Sequence, residues 1–232
     1  MNPMLSEFLS SLSVDSVEEK VYKFNSFKKY LLEENQKFNL TAITDEREID
    51  RKHFVDSLAA FPYIRGKVLD IGSGAGFPSV PLAILSPQNS FTLIDSLHKR
   101  VEFLNRVIEL LSLSHCTAVH TRIEDFAKKG EYDTVLARAV ARLNTLCEYA
   151  LPFLKVGGIF IAYKTHGPDL DGEIKEAQNA LSVLGGEIKS VIKVKSEPIK
   201  DLNHALVLIR KTKETPLRYP RKQNKPKTQP LS

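Results

Sequence analysis

The pattern of apolar positions changes character near residue 66. Before it, Val17, Val21, Phe24, Phe27, Leu31, Leu32 and Phe38 recur at helical spacing, with Lys28 and Asn35 on the same stripe. That spacing predicts a long helix with one face on a core. Ser16 is placed to cap it, and Glu18 and Glu19 fall near its positive end. A second, shorter helix is expected from Glu46 to Phe61, ending at Pro62.

After residue 66, short apolar runs alternate with amphipathic ones. Strands are expected at Lys67–Ile71, Phe91–Asp95, Cys116–His120, Tyr132–Ala137 and Ile159–Tyr163. Helices are expected at Val80–Leu85, around Leu97, Val101, Leu104, Ile108 and Leu111, at Leu143–Leu151, and at Asp169–Leu184. Two final strands are expected near Glu187–Val194 and His204–Ile209. No helix separates them, so one should run antiparallel. This alternation predicts an α/β fold: a doubly wound, mostly parallel, seven-stranded Rossmann-like sheet, binding ligands at the carboxyl ends of its strands. Residues 1–65 read as a helical extension, 66–210 as the core, and 211–232 as a tail.

Composition changes the picture little. At 42% hydrophobic and 26% charged, the 232 residues describe a globular chain. No apolar run approaches the ~18 residues of a membrane span, and the start carries no secretory pattern. A cytoplasmic protein without membrane contact is expected. No exposed heptad pattern suggests an obligate oligomer, so a monomer is expected. Cys116 and Cys147 form no C-x-x-C pair, so neither a metal site nor a disulfide framework is expected, and both read as core. The net charge of +5 is unevenly spread. From Arg210 onward there are eight basic residues, one acid (Glu214), and prolines at 216, 220, 226 and 230. Such a tail is either a solvated, disordered end or an arm that follows phosphates.

The candidate chemistry begins at Asp70. Gly72, Gly74 and Gly76 alternate directly between a strand and a helix, where glycine permits tight turning and close approach to a ligand. Asp95, 23 residues beyond Gly72, ends the second strand, where a carboxylate can accept from two ribose hydroxyls. Any adenosine-containing ligand fits so far. A dinucleotide fingerprint, however, needs a third glycine at position 77, which is Phe77, followed by Pro78. The loop suits a ligand without phosphates and with a zwitterionic amino acid end, which is S-adenosylmethionine. A glycine turn without a ligand is the alternative. Arg122–Phe126 follows the third strand, beside the expected adenine. There the backbone of Ile123 and Glu124, or a Glu124 or Asp125 carboxylate, can bond the adenine amino group, the alternative being a helix N-terminus rich in acids. Arg138 ends the fourth strand and is a candidate for polar groups of cofactor or substrate. Arg142 and Lys164 are candidates for substrate contact, and for all three residues a structural ion pair is the alternative.

Absent motifs narrow the methyl acceptor. An Asn- or Asp-Pro-Pro-aromatic run, usual for exocyclic amines, would stand where Ala137-Arg138-Ala139-Val140 stands. A pyrimidine C5 enzyme would need a nucleophilic cysteine. A purine ring nitrogen such as guanine N7 needs no general base, which leaves it or a small molecule as acceptor.

The runs Asn39-Leu-Thr-Ala-Ile43, His53-Phe-Val-Asp-Ser-Leu58, Asp70-Ile-Gly-Ser-Gly-Ala-Gly-Phe-Pro78, Asp95-Ser-Leu-His-Lys-Arg100 and Ala137-Arg-Ala-Val-Ala-Arg-Leu143 resemble the ribosomal RNA small subunit methyltransferase G family, also called glucose-inhibited division protein B. The resemblance spans residues 20 to 210. It implies a bacterial cytoplasmic enzyme that transfers a methyl from S-adenosylmethionine to N7 of one guanine in 16S ribosomal RNA, near the decoding centre. Carried over by position, it implies cofactor contacts at Gly72, Phe77, Ile123, Glu124 and Arg138, and assigns no catalytic residue. The tail lies outside it. A methyltransferase of small molecules or proteins, or a non-catalytic ribosome-assembly factor that binds the cofactor, is the competing reading.

Overall fold

The computed structural model describes residues 3–232. Two helices, α1 (Pro3–Ser11) and α2 (Val17–Asn35), come first. The stripe of α2 is buried as expected at Val21, Phe24, Phe27 and Leu31. Lys28 is buried with it, because its ammonium reaches the Asp50 carboxylate at 2.9 Å. Ser16 does not cap α2. Its backbone is left-handed (φ 51°) and its side chain accepts no capping hydrogen bond.

The helix expected over 46–61 is shorter and compound. Asp45 caps α3 (Glu46–Ile49) through the Glu48 N–H at 2.9 Å. A π-helical turn, Asp50–Val55, runs on into α4 (Asp56–Leu58), and a 3-10 turn follows at Phe61–Tyr63. The wider π turn re-aims Lys52, His53 and Asp56, as such turns often do at functional sites.

The core follows as β1 (Lys67–Ile71), α5 (Ser79–Leu85), β2 (Ser90–Asp95), α6 (His98–Leu110), β3 (Cys116–His120), β4 (Tyr132–Arg138), α7 (Leu143–Ala150) and β5 (Leu154–Thr165). Then come α8 (Pro168–Glu176), α9 (Gln178–Leu184), β6 (Gly186–Lys193), β7 (His204–Lys211) and the short α10 (Lys225–Thr228). The single helix expected over 169–184 is thus two, joined at Ala177, whose ψ of −8° departs from the helical value. β5 starts five residues earlier than expected, at Leu154.

The seven strands lie in the order β3-β2-β1-β4-β5-β7-β6. All neighbours are parallel except β7, which runs antiparallel to β5 and β6. One sheet face packs on α1, α2, α5 and α6, and the other on α7, α8 and α9. The order reverses between β1 and β4, where crossovers leave the sheet on opposite faces and open a crevice at the strands' carboxyl ends.

The C-terminal segment, 213–232, is docked on the core. Tyr219 and Pro226 are buried, and Arg221 reaches the buried Glu148 of α7. Despite its prolines it forms α10. Pro226 sits in the first turn, where no backbone donor is needed.

Candidate functional site

The glycine loop leaves β1 at the switch point. Gly72, Gly74 and Gly76 all have left-handed φ (69°, 56° and 92°). The Gly72 and Ser73 N–H groups donate to the Ile94 carbonyl at 2.9 and 3.0 Å, tying the loop to β2. A Cβ on Gly72 would lie 2.9 Å from the Val140 side chain, and one on Gly76 would lie 2.7 Å from Val80. Gly76 therefore serves the packing of α5, whereas Gly72 keeps a narrow space open against the end of β4.

Two cavities flank this point. The first, about 120 Å3, is lined by Gly72, Asp95, Ser96, Ile123, Glu124, Val140 and Tyr149, with Asn224 and Lys227 from the C-terminal segment. The second, about 640 Å3, is lined by Lys52, His53, Asp56, Arg138, Ala139, Lys164, Glu173 and His204 among others. Ala139 faces the second and Val140 the first. Ala139 is itself left-handed at φ 58°, an unfavourable conformation for a residue with a Cβ. This kink sends two consecutive residues to opposite sides. A larger groove of about 980 Å3 lies by α1 and α2, away from the switch point.

A polar network builds the second cavity. Asp56, 2% exposed, accepts from Arg138 Nη1 at 2.8 Å and bonds His204 Nδ1 at 2.6 Å. Arg138 Nη2 donates to His53 Nδ1 at 3.0 Å, and its guanidinium lies over the Phe77 ring at 5.4 Å. His53 stacks on Phe77 with centroids 4.4 Å apart. Burial, then the Arg138 charge, lowers the His53 pKa to about 4, so the ring is neutral. Because Nδ1 accepts from Arg138, the proton sits on Nε2, which donates to Thr41 Oγ1 at 2.7 Å. Thr41 is held in turn by Asn35, whose side chain accepts from the Leu40 and Thr41 N–H groups. The Asn39–Ile43 run thus orients the histidine.

The two substrate candidates are both ion-paired. Lys164 reaches Glu173 at 2.6 Å and faces the second cavity. Arg142 forms an exposed bidentate pair with Glu176 and lines neither cavity. Of the cofactor candidates, Gly72, Asp95, Ile123 and Glu124 surround the first cavity. Phe77 lies buried between Phe27, Phe54 and His53, and Arg138 lines the second cavity. Cys116 and Cys147 are buried, and burial pushes both thiols up to about 12, which removes them as nucleophiles.

A family model described as GidB, rRNA small subunit methyltransferase G, matches residues 20–203. The chain belongs to this family. The ribosomal RNA small subunit methyltransferase G of Clostridium kluyveri is 44% identical over 219 residues, covering 91% of this chain and 90% of the relative. That of Alkaliphilus metalliredigens is 45% identical over 222 residues, covering 92% of each. A solved SAM-dependent methyltransferase from Aquifex aeolicus superposes with a TM-score of 0.53 at 15% identity, over 72% of this chain and 94% of that one, and shares the fold. The chain is therefore a ribosomal RNA methyltransferase of the small subunit, with S-adenosylmethionine as its methyl donor.

The first cavity and its rim fit that donor. Asp70, 1% exposed beneath the glycine loop, has only the Ser79 and Ser73 hydroxyls near its carboxylate, and burial raises its pKa to about 6. A buried carboxylate without a counter-charge at the foot of the glycine loop complements a cationic group such as the donor's ammonium. The Asp95 carboxylate accepts from the Gly74 and Leu97 N–H groups at 2.9 Å each. A carboxylate has about four acceptor sites, so capacity remains for ribose hydroxyls. Ile123 and Glu124 open a 3-10 turn, whose first N–H groups have no partner within the turn.

Sequence reasoning missed Tyr149, Asn224 and Lys227. Tyr149 sits in the predicted helix α7 with nothing to mark it, and the other two come from a segment whose docking no periodicity announces.

Proposed function

We propose that this methyltransferase modifies N7 of a guanine in 16S ribosomal RNA near the decoding centre. The observation that carries the reading is the kink at Ala139–Val140, which sets a small adenosine-sided pocket and a larger, base-sided cavity back to back. In this reading Gly72, Asp95, Ile123 and Glu124 hold the adenosine, and the charge of Asp70, buried beneath the loop, favours the ammonium. Gly74, Gly76 and Phe77 shape the loop, and Arg138 meets the carboxylate from across the kink. Bound there, S-adenosylmethionine supplies a methyl group on a positively charged sulfur.

The second cavity favours an acceptor that keeps its own lone pair. Asp56 is committed to Arg138 and His204, and Glu173 to Lys164 and the Leu143 N–H. His53 is bonded at both ring nitrogens. Asp56, Glu173 and His53 are thus engaged in positioning other side chains, which suits a nucleophile that needs no proton removed, as guanine N7 does not, and His204 is held on Asp56 through Nδ1 at the cavity wall. Their work is orientation within a shaped site.

The same reading has the chain acting as a monomer in the cytoplasm. Both sheet faces are covered by the chain's own helices. Among the described residues no helix is long and apolar enough to cross a membrane.

The test is transfer of labelled methyl from S-adenosylmethionine to small ribosomal subunits from cells lacking this protein, followed by digestion and identification of the nucleosides. Label in 7-methylguanosine is expected. Label in another nucleoside, or none in RNA while the donor binds, overturns the reading.

A further inference from the structure

The C-terminal segment lies wholly beyond residue 203, where the family match ends. It nevertheless reaches the donor's pocket. Its path follows from its residues. The chain leaves β7 at Lys211, and Lys129 Nζ donates to the Leu217 and Tyr219 carbonyls at 3.0 and 2.6 Å. The Tyr219 ring enters the apolar cluster on the α7 face of the sheet. Gln223 and Asn224 are both left-handed (φ 61° and 59°), which turns the chain back into α10. Thr145 Oγ1 then donates to the Pro226 carbonyl at 2.9 Å, and Pro226 is buried.

One ion pair dominates the docking. Glu148 is fully buried on α7. Its Oε1 accepts from the Arg221 N–H at 2.7 Å and from Nε at 2.9 Å, and its Oε2 accepts from Nη2 at 2.7 Å. A buried carboxylate without its counter-charge is strongly unfavourable, so Glu148 holds the segment down. Docked this way, Asn224 and Lys227 complete the pocket opposite Gly72, Asp95 and Glu124. The space left is about 120 Å3. Small-molecule sites usually offer roughly 300–1,000 Å3, so the docked segment narrows the pocket to a close fit.

We propose that residues 213–232 form a strap that walls the adenosine pocket of the methyl donor, latched by Arg221 on Glu148, with Asn224 and Lys227 as its ligand-facing residues. The amide of Asn224 and the ammonium of Lys227 supply donors toward the ring nitrogens and hydroxyls of an adenosine. Donor exchange then requires the strap to lift, and the strap sets how long the donor stays. This rests on S-adenosylmethionine being the ligand of the pocket.

The test measures release of radiolabelled S-adenosylmethionine from the full chain during a chase with excess unlabelled donor. Glu148→Gln keeps the shape of the buried side chain and removes the latch charge. The double variant Asn224→Gly, Lys227→Ala removes both ligand-facing groups, and glycine keeps the left-handed turn. Lys227 is exposed and Asn224 is partly so, so the double variant leaves the core intact. Since such changes act mainly on dissociation, release about tenfold faster is expected from Glu148→Gln and about threefold or more from the double variant. Release from the double variant at the parent rate overturns the strap as a wall of the pocket, whatever Glu148→Gln does. A parent chain that retains no labelled donor at any concentration overturns the donor reading itself, and the proposal with it.

Discussion

The two ends of the chain fasten to one core by different forces. At the N-terminal end, Phe24, Phe27, Leu31 and Phe54 are fully buried and share a cluster with Phe77 of the glycine loop. The C-terminal end buries Tyr219, Pro220 and Pro226, and otherwise holds by the Arg221–Glu148 pair and by bonds to its own carbonyls. The N-terminal helices therefore belong to the cooperative core and support the site through Phe77 and His53. The C-terminal strap buries fewer apolar side chains, and much of its attachment is polar contacts that can be exchanged for water. An apolar attachment unfolds with the whole domain, whereas a polar one can open on its own. That difference suits a rigid cavity at one side of the switch point and an adjustable wall at the other.

The largest effect tests the first half of this contrast. Phe54→Ala should cost about 3–5 kcal/mol, as buried aromatic truncations do. It should lower the urea midpoint of the whole chain in one transition. A separate early transition confined to residues 3–58 would mean that the helices are an independent unit. Next, Arg221→Ala should cost about 2 kcal/mol, less than the 3–5 of a fully trapped pair, because the strap can lift and let water reach Glu148. Hydrogen exchange should show lost protection confined to 213–232 and the facing turns of α7. Protection lost across the sheet would make the strap part of the core.

Asp70, in neither region, serves as the internal standard. Its carboxyl carries a pKa of about 6 in place of 3.8, so the folded chain bears a poorly solvated charge above that pH. Asp70→Asn should therefore raise stability at pH 8 by about 1–2 kcal/mol, after allowing for the amide's own unpaired groups. It should also weaken donor binding in calorimetry. Stability and binding falling together would show that the Ser73 and Ser79 hydroxyls make Asp70 a structural residue instead.

The same contrast decides what could be read from the residues alone. Strand and helix order from Lys67 to Ile209, the antiparallel strand and the α2 stripe are all carried by apolar periodicity, and the structure keeps them. Gly72, Asp95, Ile123 and Glu124 were expected together because each occupies a set place at a strand end, and they surround one cavity. The failures are polar. Ser16 has the right type for a cap but the wrong backbone conformation. Arg138 offers its charge to a ligand only after Asp56 and His53 have claimed part of it, a contact over 82 residues of sequence. Lys222 and Arg221 look like free positive charges in a tail until Asp125 and Glu148 are found opposite them. Periodicity records burial, and no such pattern records which charge meets which.

The smallest effect is a difference in pH window between the two ends. His53 has a folded pKa of about 4 against an ordinary 6.5, because burial and then Arg138 disfavour its charged form. Between those values the unfolded chain binds more protons than the folded one. Stability from this group is therefore complete above 6.5 and lost as pH falls toward 4. Lys211, where β7 meets the strap, donates to the Leu151 and Leu184 carbonyls at 2.8 and 3.1 Å, and to Thr215 of the strap. Burial lowers its pKa to about 8 from 10.5. The sign is the same but the window is not: its contribution grows as pH rises from 8 toward 10.5. His53→Gln should flatten the acid limb of a urea-midpoint profile and leave the alkaline limb alone, and Lys211→Met should do the reverse. If His53→Gln altered both limbs, the two ends would share one electrostatic network through α7 and β5, and the strap could not lift without disturbing the cavity around Arg138.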